Sequence, residues 1–187
     1  MWDRQARPTP SRILISSKVA RMEIQDEVDR IIAAWETERP DLDVSPLAVL
    51  SRISRLDRHL DRARRSAFAA NHLEPWEFDV LSALRRAGQP YTLSPGALVT
   101  QTMVTSGTMT NRIDRLESRG LVVRRPSPDD RRAVLVELTE PGRELVDLAF
   151  SALLEIEHRV LEVLNDSSQL ELANMLRMLT RQFEQLS

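Results

Sequence analysis

The sequence predicts a mainly α-helical fold with one small β-hairpin. Apolar residues recur at spacings of three and four through most of the 187 residues, as they do in amphipathic helices. Two short runs rich in valine and leucine, 121–125 and 133–138, are separated by a proline- and aspartate-rich segment, which is typical of a hairpin. The helical pattern immediately before the hairpin ends at a glycine.

The helix that precedes the hairpin is the element around which the rest is arranged. Thr105 and Ser106 are suitable N-caps, because a hydroxyl oxygen can accept from the free N–H groups of the first turn. Gly120 ends the helix, since glycine adopts the left-handed conformation without a Cβ clash. The predicted apolar face consists of three residues at helical spacing: Met109, Ile113 and Leu116.

The opposite face of this helix is polar and predicts contact with duplex DNA. Short side chains allow a helix to enter the major groove, where asparagine and arginine reach base edges. At the hairpin tip, Arg131 and Arg132 are placed to enter a minor groove. Taken alone, the pattern equally fits a solvated helix and a charged hairpin without function. The candidate DNA-binding residues are Ser106, Thr108, Thr110, Asn111, Arg115, Arg131 and Arg132.

The other helices follow from apolar periodicity together with caps and prolines at their ends. Ser94-Pro95 starts a short helix to about Thr100, and a break at 103–105 leads into the polar helix, which is helix-turn-helix spacing. Asp166 with Gln169 is a candidate capping box for the last helix. The remaining helices are predicted at 19–38, 45–70, 75–87, 139–164 and 166–186.

In four motifs the chain resembles the MarR family of winged-helix transcription regulators. These are Asn111–Glu117, Gly120–Val122, Asp129–Arg132 and Leu138–Gly142, in this order. The resemblance covers residues 45–187. It implies a winged helix-turn-helix domain at about 74–138, with helices at 45–70 and 140–186 that join two copies. A ligand-responsive repressor that binds a pseudo-palindromic operator as a homodimer is the function expected of such a chain.

The terminal helices support the expectation of a dimer. Their apolar surfaces, at 45–70 and 140–186, are broader than one small winged domain can cover. A second copy is the simplest partner, because a palindromic DNA site needs a two-fold symmetric protein. The alternative is an intramolecular bundle of the same helices.

The residues before 45 add a further expectation. We predict a flexible arm at 1–20, then an added helix and linker at 21–44, which resembles the urate-responsive, HucR- and PecS-like branch of the family. That resemblance implies a site for a small anionic effector formed by Trp35, Asp79, Arg112 and Arg124. Two arginine forks and a flat aromatic ring suit a planar anion.

Other interpretations of these four residues stay open. Trp35 can fasten the added helix to the body, and Asp79 with Arg112 can be a structural ion pair. The effector can also be a polycarboxylate, a phenolic compound or an aromatic acid instead of urate, with the added helix purely structural.

Composition argues against other classes of protein. There is no cysteine, and His59, His72 and His158 lie far apart, so no metal site is expected. We find no glycine-rich phosphate loop and no catalytic triad, and expect neither enzyme activity nor a cofactor. No apolar run is long enough for a membrane span, and no signal peptide is evident, so a cytoplasmic location is expected.

The charge distribution suits a DNA-binding surface. The net charge is −2, but seven arginines and four acidic residues lie between 105 and 132, which leaves +3 there and −5 over the rest. A basic surface on an acidic body is what a DNA-binding protein of low net charge requires.

Overall fold

The computed structural model describes residues 25–128, 130 and 133–186. The predicted fold class is confirmed: the chain is mainly helical, with a small antiparallel sheet. It divides into two units, with the boundary between Ser54 and Arg55. The elements are α1 (Glu27–Glu38), α2 (Leu47–Ala70), α3 (Pro75–Arg86), β1 (Thr92–Leu93), α4 (Pro95–Thr102), α5 (Ser106–Ser118), β2 (Val122–Pro126), β3 (Val134–Leu138), α6 (Glu140–Leu161) and α7 (Asp166–Leu186).

In the first unit, α1 begins later than the sequence predicts. Asp26 has an extended backbone and caps the helix: its carboxylate accepts from the N–H groups of Val28 at 2.7 Å and Asp29 at 3.0 Å. A helix continuous from Val19 is therefore wrong at residues 25–26, because a capping aspartate cannot also be helical. Residues 19–24 and the predicted arm at 1–20 lie outside the described residues. Arg52 holds the start of α1 through Asp26 at 2.9 Å and Asp29 at 2.6 Å.

The second unit contains the main core. The apolar faces of α3, α4, α5 and α6 meet over the sheet, and the deepest large side chains are leucines, valines, one isoleucine and one methionine. Phe68 stacks on Phe78 with ring centroids 4.2 Å apart, which joins the end of α2 to α3. The residues with almost no exposure are Val80, Leu81, Leu84, Leu98, Leu116, Val136 and Ala149.

The predicted hairpin is present as the antiparallel pair β2–β3, in which Val122 is opposite Leu138 and Arg124 opposite Val136. A third strand, β1, pairs with the other edge of β3, giving the order β1-β3-β2. The sequence analysis did not predict β1. Its two residues are too few to show an alternating pattern, and only the pairing with β3 defines it.

The helix boundaries differ from the prediction by a few residues. α2 begins at Leu47 instead of Ser45, and α6 ends at Leu161 instead of Leu164. The cap of α7 is Asn165, whose side-chain oxygen accepts from the N–H of Ser168 at 2.9 Å. The predicted cap Asp166 is the first residue of α7. Sequence periodicity locates a helix better than its ends, since one turn more or less leaves the apolar face unchanged.

Thr139 joins the ends of three elements. Its hydroxyl donates to the carbonyl of Gly120 at 2.7 Å and accepts from the N–H of Gly142 at 3.2 Å. Its own N–H donates to the carbonyl of Leu121 at 3.1 Å. Gly120 ends α5 with the predicted left-handed backbone, at φ +69°. The end of α5, the start of the wing and the start of α6 are thus fixed at one point.

Helices α6 and α7 keep many large apolar side chains in solvent. None of residues 166–185 of α7 is buried. On α6 the buried residues lie on one side, and further apolar side chains face outwards. The exposed apolar residues of the two helices include Leu148, Phe150, Val160, Leu170, Met175, Met178 and Leu179. In the described ranges, no helix has the length and apolarity required to cross a bilayer.

Candidate nucleic-acid interface and ligand site

The face of α5 that the sequence assigns to DNA is open to solvent. Thr105 caps the helix, with its hydroxyl accepting from the N–H of Thr108 at 3.3 Å. The apolar seam predicted for the inner face is buried as expected, which fixes the rotation of the helix about its axis. The exposed residues on the outer side are Ser106, Thr108, Thr110, Asn111 and Arg115.

The turn between α4 and α5 has helix-turn-helix geometry. Ser94 caps α4 by accepting from the N–H of Ala97 at 3.2 Å, and Leu98 anchors α4 in the core. At the end of α4, Met103 takes a left-handed backbone with φ +52° and leaves its side chain in solvent. α4 therefore supports α5 from the core side and leaves the polar face of α5 free for the major groove.

Two arginines of α5 pack on one tryptophan of α3. The guanidinium of Arg115 lies 4.7 Å from the centroid of the Trp76 ring, and that of Arg112 lies 5.5 Å from it. Arg115 also donates to the carboxylate of Glu74 at 3.1 Å, and the indole N–H of Trp76 donates to the same carboxylate. The α5 surface is consequently braced against the first turn of α3.

A second pair fastens the end of α5 to α3. Arg119 donates to Glu77 at 2.6 Å and to the carbonyl of His72 at 3.0 Å. The Glu77 residue is only 2% exposed, and its buried carboxylate accepts from Arg119 and from the N–H of Glu74 at 2.9 Å. Glu74, Trp76 and Glu77 were not among the residues predicted from the sequence. An arginine-rich helix needs negatively charged residues nearby. The two glutamates beside Pro75, at the predicted start of α3, could have been identified on that ground.

The wing is tied to α5 through Arg124. Its guanidinium donates to Asp114 and to Glu117, and its backbone N–H donates to Glu117 at 3.0 Å. The hydrogen bond that Arg124 donates to Asp114 raises the pKa of Arg124 above its ordinary value. Arg131 and Arg132, the predicted wing-tip contacts, lie outside the described residues, and their role stays a prediction.

Of the four candidate ligand residues, the structure relates two to each other. Burial by surrounding atoms raises the pKa of Asp79, and the positive charge of Arg112 opposes that rise, so the two are within electrostatic range. Arg124 instead has Asp114 and Glu117 as partners. Trp35 lies on α1 in the first unit, with 49% of its surface exposed. The joint role predicted for the four stays a prediction.

Cavities at α3 in the second unit include one that faces α6 and one that faces α4. The larger, of about 350 Å³, lies between α3 and α6, and the smaller, of about 180 Å³, reaches the end of α4. The larger one is lined by Phe78, Ser82, Arg85, Arg86, Val146, Asp147 and Phe150. The smaller one is lined by Asp79, Ser82, Arg86, Gln101, Thr102 and Met103. Among the described residues, no group of acidic or histidine side chains is placed to hold a metal ion.

Comparisons with known proteins point to one family. The MarR family model matches residues 73–133. The chain is 38% identical to the HTH-type transcriptional regulator PecS of Dickeya dadantii, over 80% of this chain and 90% of PecS. It is 31% identical to the HTH-type transcriptional repressor NicR of Pseudomonas putida, over 73% and 87% of the two chains.

Solved structures agree with the sequence comparisons. The repressor CouR, bound to a 23-mer DNA duplex, matches with a TM-score of 0.62 and 27% identity, over 74% of this chain and 98% of that one. Bordetella bronchiseptica BpsR, whose DNA binding is regulated by 6-hydroxynicotinic acid, matches with a TM-score of 0.59 and 28% identity, over 71% and 92%. The chain belongs to the MarR family and is a DNA-binding, winged helix-turn-helix transcriptional regulator.

Proposed function

We propose that this regulator is a repressor that binds a pseudo-palindromic operator as a homodimer and is released by a small anionic ligand such as urate. The observation that carries the proposal is the exposed polar face of α5 above a fully buried apolar seam. Such a helix can enter a major groove without exposing core side chains. In a two-fold dimer, two such helices read half-sites about one helical turn apart.

The exposed apolar residues of α6 and α7 support the homodimer. A folded chain rarely leaves so many large apolar side chains in water, and a second copy would cover the same residues on both partners. The predicted dimerisation helices, 45–70 and 140–186, include this surface. The apolar residues that a second copy would cover are Leu148, Leu154, Leu170, Met175 and Met178.

The ligand part of the proposal rests on Asp79 and Arg112. A planar anion needs a guanidinium partner, and Arg112 supplies one at the border of the DNA-reading helix. The Asp79 carboxylate would compete with the anion for that arginine. Arg124 would have to leave Asp114 or Glu117 to join the ligand, which would change how the wing is held. The participation of Trp35 rests on the resemblance to urate-responsive regulators.

Binding of ligand and operator should be antagonistic and reciprocal. A ligand shifts the protein only by its difference in affinity between the DNA-bound and released states. Typical coupling corresponds to operator binding weaker by roughly 5- to 150-fold at ligand saturation, and the operator should weaken ligand binding by the same factor.

The test begins with thermal shift in urate, xanthine, citrate, aconitate and salicylate, since a ligand specific to the folded state raises the melting temperature. Operator affinity is then measured with and without the compound that binds. Arg124→Ala should abolish release while leaving most DNA affinity, and Trp35→Phe should weaken the response. Normal release from a protein lacking both side chains would contradict the proposed ligand site.

An aromatic or phenolic acid is the second candidate ligand, and the larger cavity favours it. Phe78 and Phe150 offer ring surfaces 6.4 Å apart, centroid to centroid, and Arg86 offers a cation at the same cavity. Arg85 is neutralised there by Asp147 at 2.8 Å. BpsR, which is regulated by an aromatic acid, is a structural relative.

Two variants separate the candidates. Arg112→Gln should remove the response if the ligand binds beside Asp79, whereas Phe150→Ala should remove it if the ligand lies between α3 and α6. Isothermal titration of salicylate and urate against both variants decides between the sites, because each compound should lose affinity for one variant only.

A further inference from the structure

Glu74 and Trp76 contact the arginine of α5 that is proposed to reach DNA. Both belong to the start of α3, and sequence analysis gave neither a role. They lie 41 and 39 positions before Arg115 in the chain, so folding alone brings them together. The contacts that Glu74 and Trp76 make with Arg115 affect how the protein distinguishes one DNA sequence from another.

The three side chains form a closed set of contacts. Arg115 donates to Glu74 at 3.1 Å, and its guanidinium lies 4.7 Å from the centroid of the Trp76 ring. The indole N–H of Trp76 donates to the same carboxylate. Trp76 thereby fixes the position of Glu74, and the two together restrict the guanidinium in both direction and tilt.

This arrangement leaves Arg115 available to DNA. Its side chain is 60% exposed and that of Glu74 is 56% exposed, so water weakens the ion pair. A guanidinium carries five N–H donors, and Glu74 takes one, so the remaining donors can address a base edge in two parallel hydrogen bonds. Beside it, an open pocket lined by Trp76, Thr108, Asn111, Arg112 and Arg115 faces the same side of α5.

The carboxylate of Glu74 should act differently on specific and non-specific complexes. At a specific site Arg115 reads a base while Glu74 supports it from behind. At a random site Arg115 would turn to a phosphate, whose negative charge then comes close to the Glu74 carboxylate. The second situation costs more, because the two negative charges repel each other.

We propose that Glu74 and Trp76 are specificity-determining residues that act through Arg115, holding its guanidinium for a guanine-type acceptor edge and disfavouring phosphate contacts. This inference rests on the proposed operator binding. Glu74 and Trp76 are positioning residues and need not touch DNA themselves.

The test uses the full-length protein and duplexes that it selects from a random-sequence library. Affinity for a selected duplex and for the random pool is measured by fluorescence anisotropy at one fixed salt concentration. For Glu74→Gln we expect the specific-to-random affinity ratio to fall about 2- to 5-fold, the effect of losing a solvent-exposed ion pair. Random-DNA binding should become tighter, and the base preference at one position of each half-site should relax.

Matched variants separate positioning from general effects. Glu38→Gln removes the same charge from α1, outside the recognition helix, the wing and the predicted dimerisation helices, and should leave the ratio unchanged. Trp76→Phe keeps a ring under Arg115 but loses the N–H that holds Glu74, so a smaller fall in the ratio is expected. In an Arg115→Ala background, Glu74→Gln should change the ratio no further, since its partner is gone.

The outcomes distinguish this inference from the proposed function. If the unaltered protein enriches no sequence, operator binding fails and the inference is overturned with it. If a site is enriched and Glu74→Gln keeps the same ratio and base preference as Glu38→Gln, only the inference is overturned. A fall in the ratio that persists in the Arg115→Ala background also overturns it. Should Glu74→Gln not fold, Trp76→Phe gives the same decision through the ratio.

Discussion

Asp79 carries opposing influences at the scale of a single residue. Surrounding protein atoms destabilise its charged form, while Arg112, Arg86 and Arg64 stabilise it, and the first influence is the larger. The pKa of this carboxyl therefore lies above its ordinary value of 3.8. Because Arg112 lies on α5, the ionisation of Asp79 is coupled electrostatically to a residue of the DNA-reading helix.

Asp79→Asn should stabilise the protein at neutral pH. Because its pKa is raised on folding, the folded state holds the proton more tightly than the unfolded chain, so ionisation above the folded pKa costs stability. The amide cannot ionise. The Asp79 side chain is only partly desolvated and still reaches solvent, which screens its charge, so we expect a gain of no more than about 0.5 kcal/mol at pH 7. The gain should vanish as the pH falls towards 3.8.

Urea denaturation of both proteins between pH 4 and 8 measures this effect. Asp57→Asn, on exposed α2, controls for the loss of one negative charge. A gain that is equal at every pH would contradict the assignment to Asp79 ionisation.

Gly142→Ala should destabilise the protein. A Cβ at this position would lie 2.1 Å from the carbonyl oxygen of Leu121 and 2.9 Å from Cδ1 of Leu138, and the oxygen belongs to backbone that cannot move alone. We expect a loss of about 1–3 kcal/mol, as for other overpacked sites. Gly107→Ala is the control: it is also helical, has free space, and should be neutral or stabilising in chemical denaturation. Equal stability of the two variants would contradict the close contact.

At the scale of elements, α5 and the wing should contribute differently to DNA binding. Asn111 lies on the exposed face of α5, where an amide can reach base edges, so Asn111→Ala should lose more affinity for a selected site than for random DNA. Arg131→Ala should weaken binding to both about equally, because a wing arginine senses phosphate and groove shape. Anisotropy titrations on the two DNAs measure the difference. If the two variants lost affinity for both DNAs to the same extent, the roles assigned to α5 and the wing would be wrong.

The sequence predicts the elements where local chemistry decides them. Thr105, Thr139 and Gly120 behave as their residue types require, the first two as caps and the third as a left-handed helix end. The apolar seam of α5 is buried as its spacing predicts. In each case the deciding interaction lies within about four residues, so it can be read from the chain.

The rest depends on contacts between distant positions. Arg115 was predicted from its place on the polar face, but its partner Glu74 lies 41 residues away. Asn165 replaces Asp166 as the cap of α7 because either residue type can cap and only the backbone decides. Arg124 was predicted as a ligand-binding residue. In the structure it donates to Asp114 and Glu117, and these contacts form only when the wing folds against α5.

At the scale of the whole molecule, the exposed apolar side chains of α7 are the strongest indication of a partner chain. Met178 is 66% exposed on a helix without a buried residue between 166 and 185, which favours a partner of the same kind. Met178→Glu should weaken self-association, since a carboxylate in an apolar interface loses its hydration. Sedimentation velocity at micromolar concentration measures the fraction of dimer. Gln182→Glu, also on α7, controls for the added negative charge. A folded monomer in the unaltered protein would refute the homodimer.

The contact point at Thr139 has a mechanical consequence. One side chain fastens the end of the reading helix, the root of the wing and the first turn of α6 within hydrogen-bond distance of each other. If α6 tilts, α5 and the wing should therefore move with it as one rigid body. In the proposed dimer, a change in the angle of α6 would then alter the spacing between the two DNA-reading helices, whereas the pitch of the double helix stays fixed.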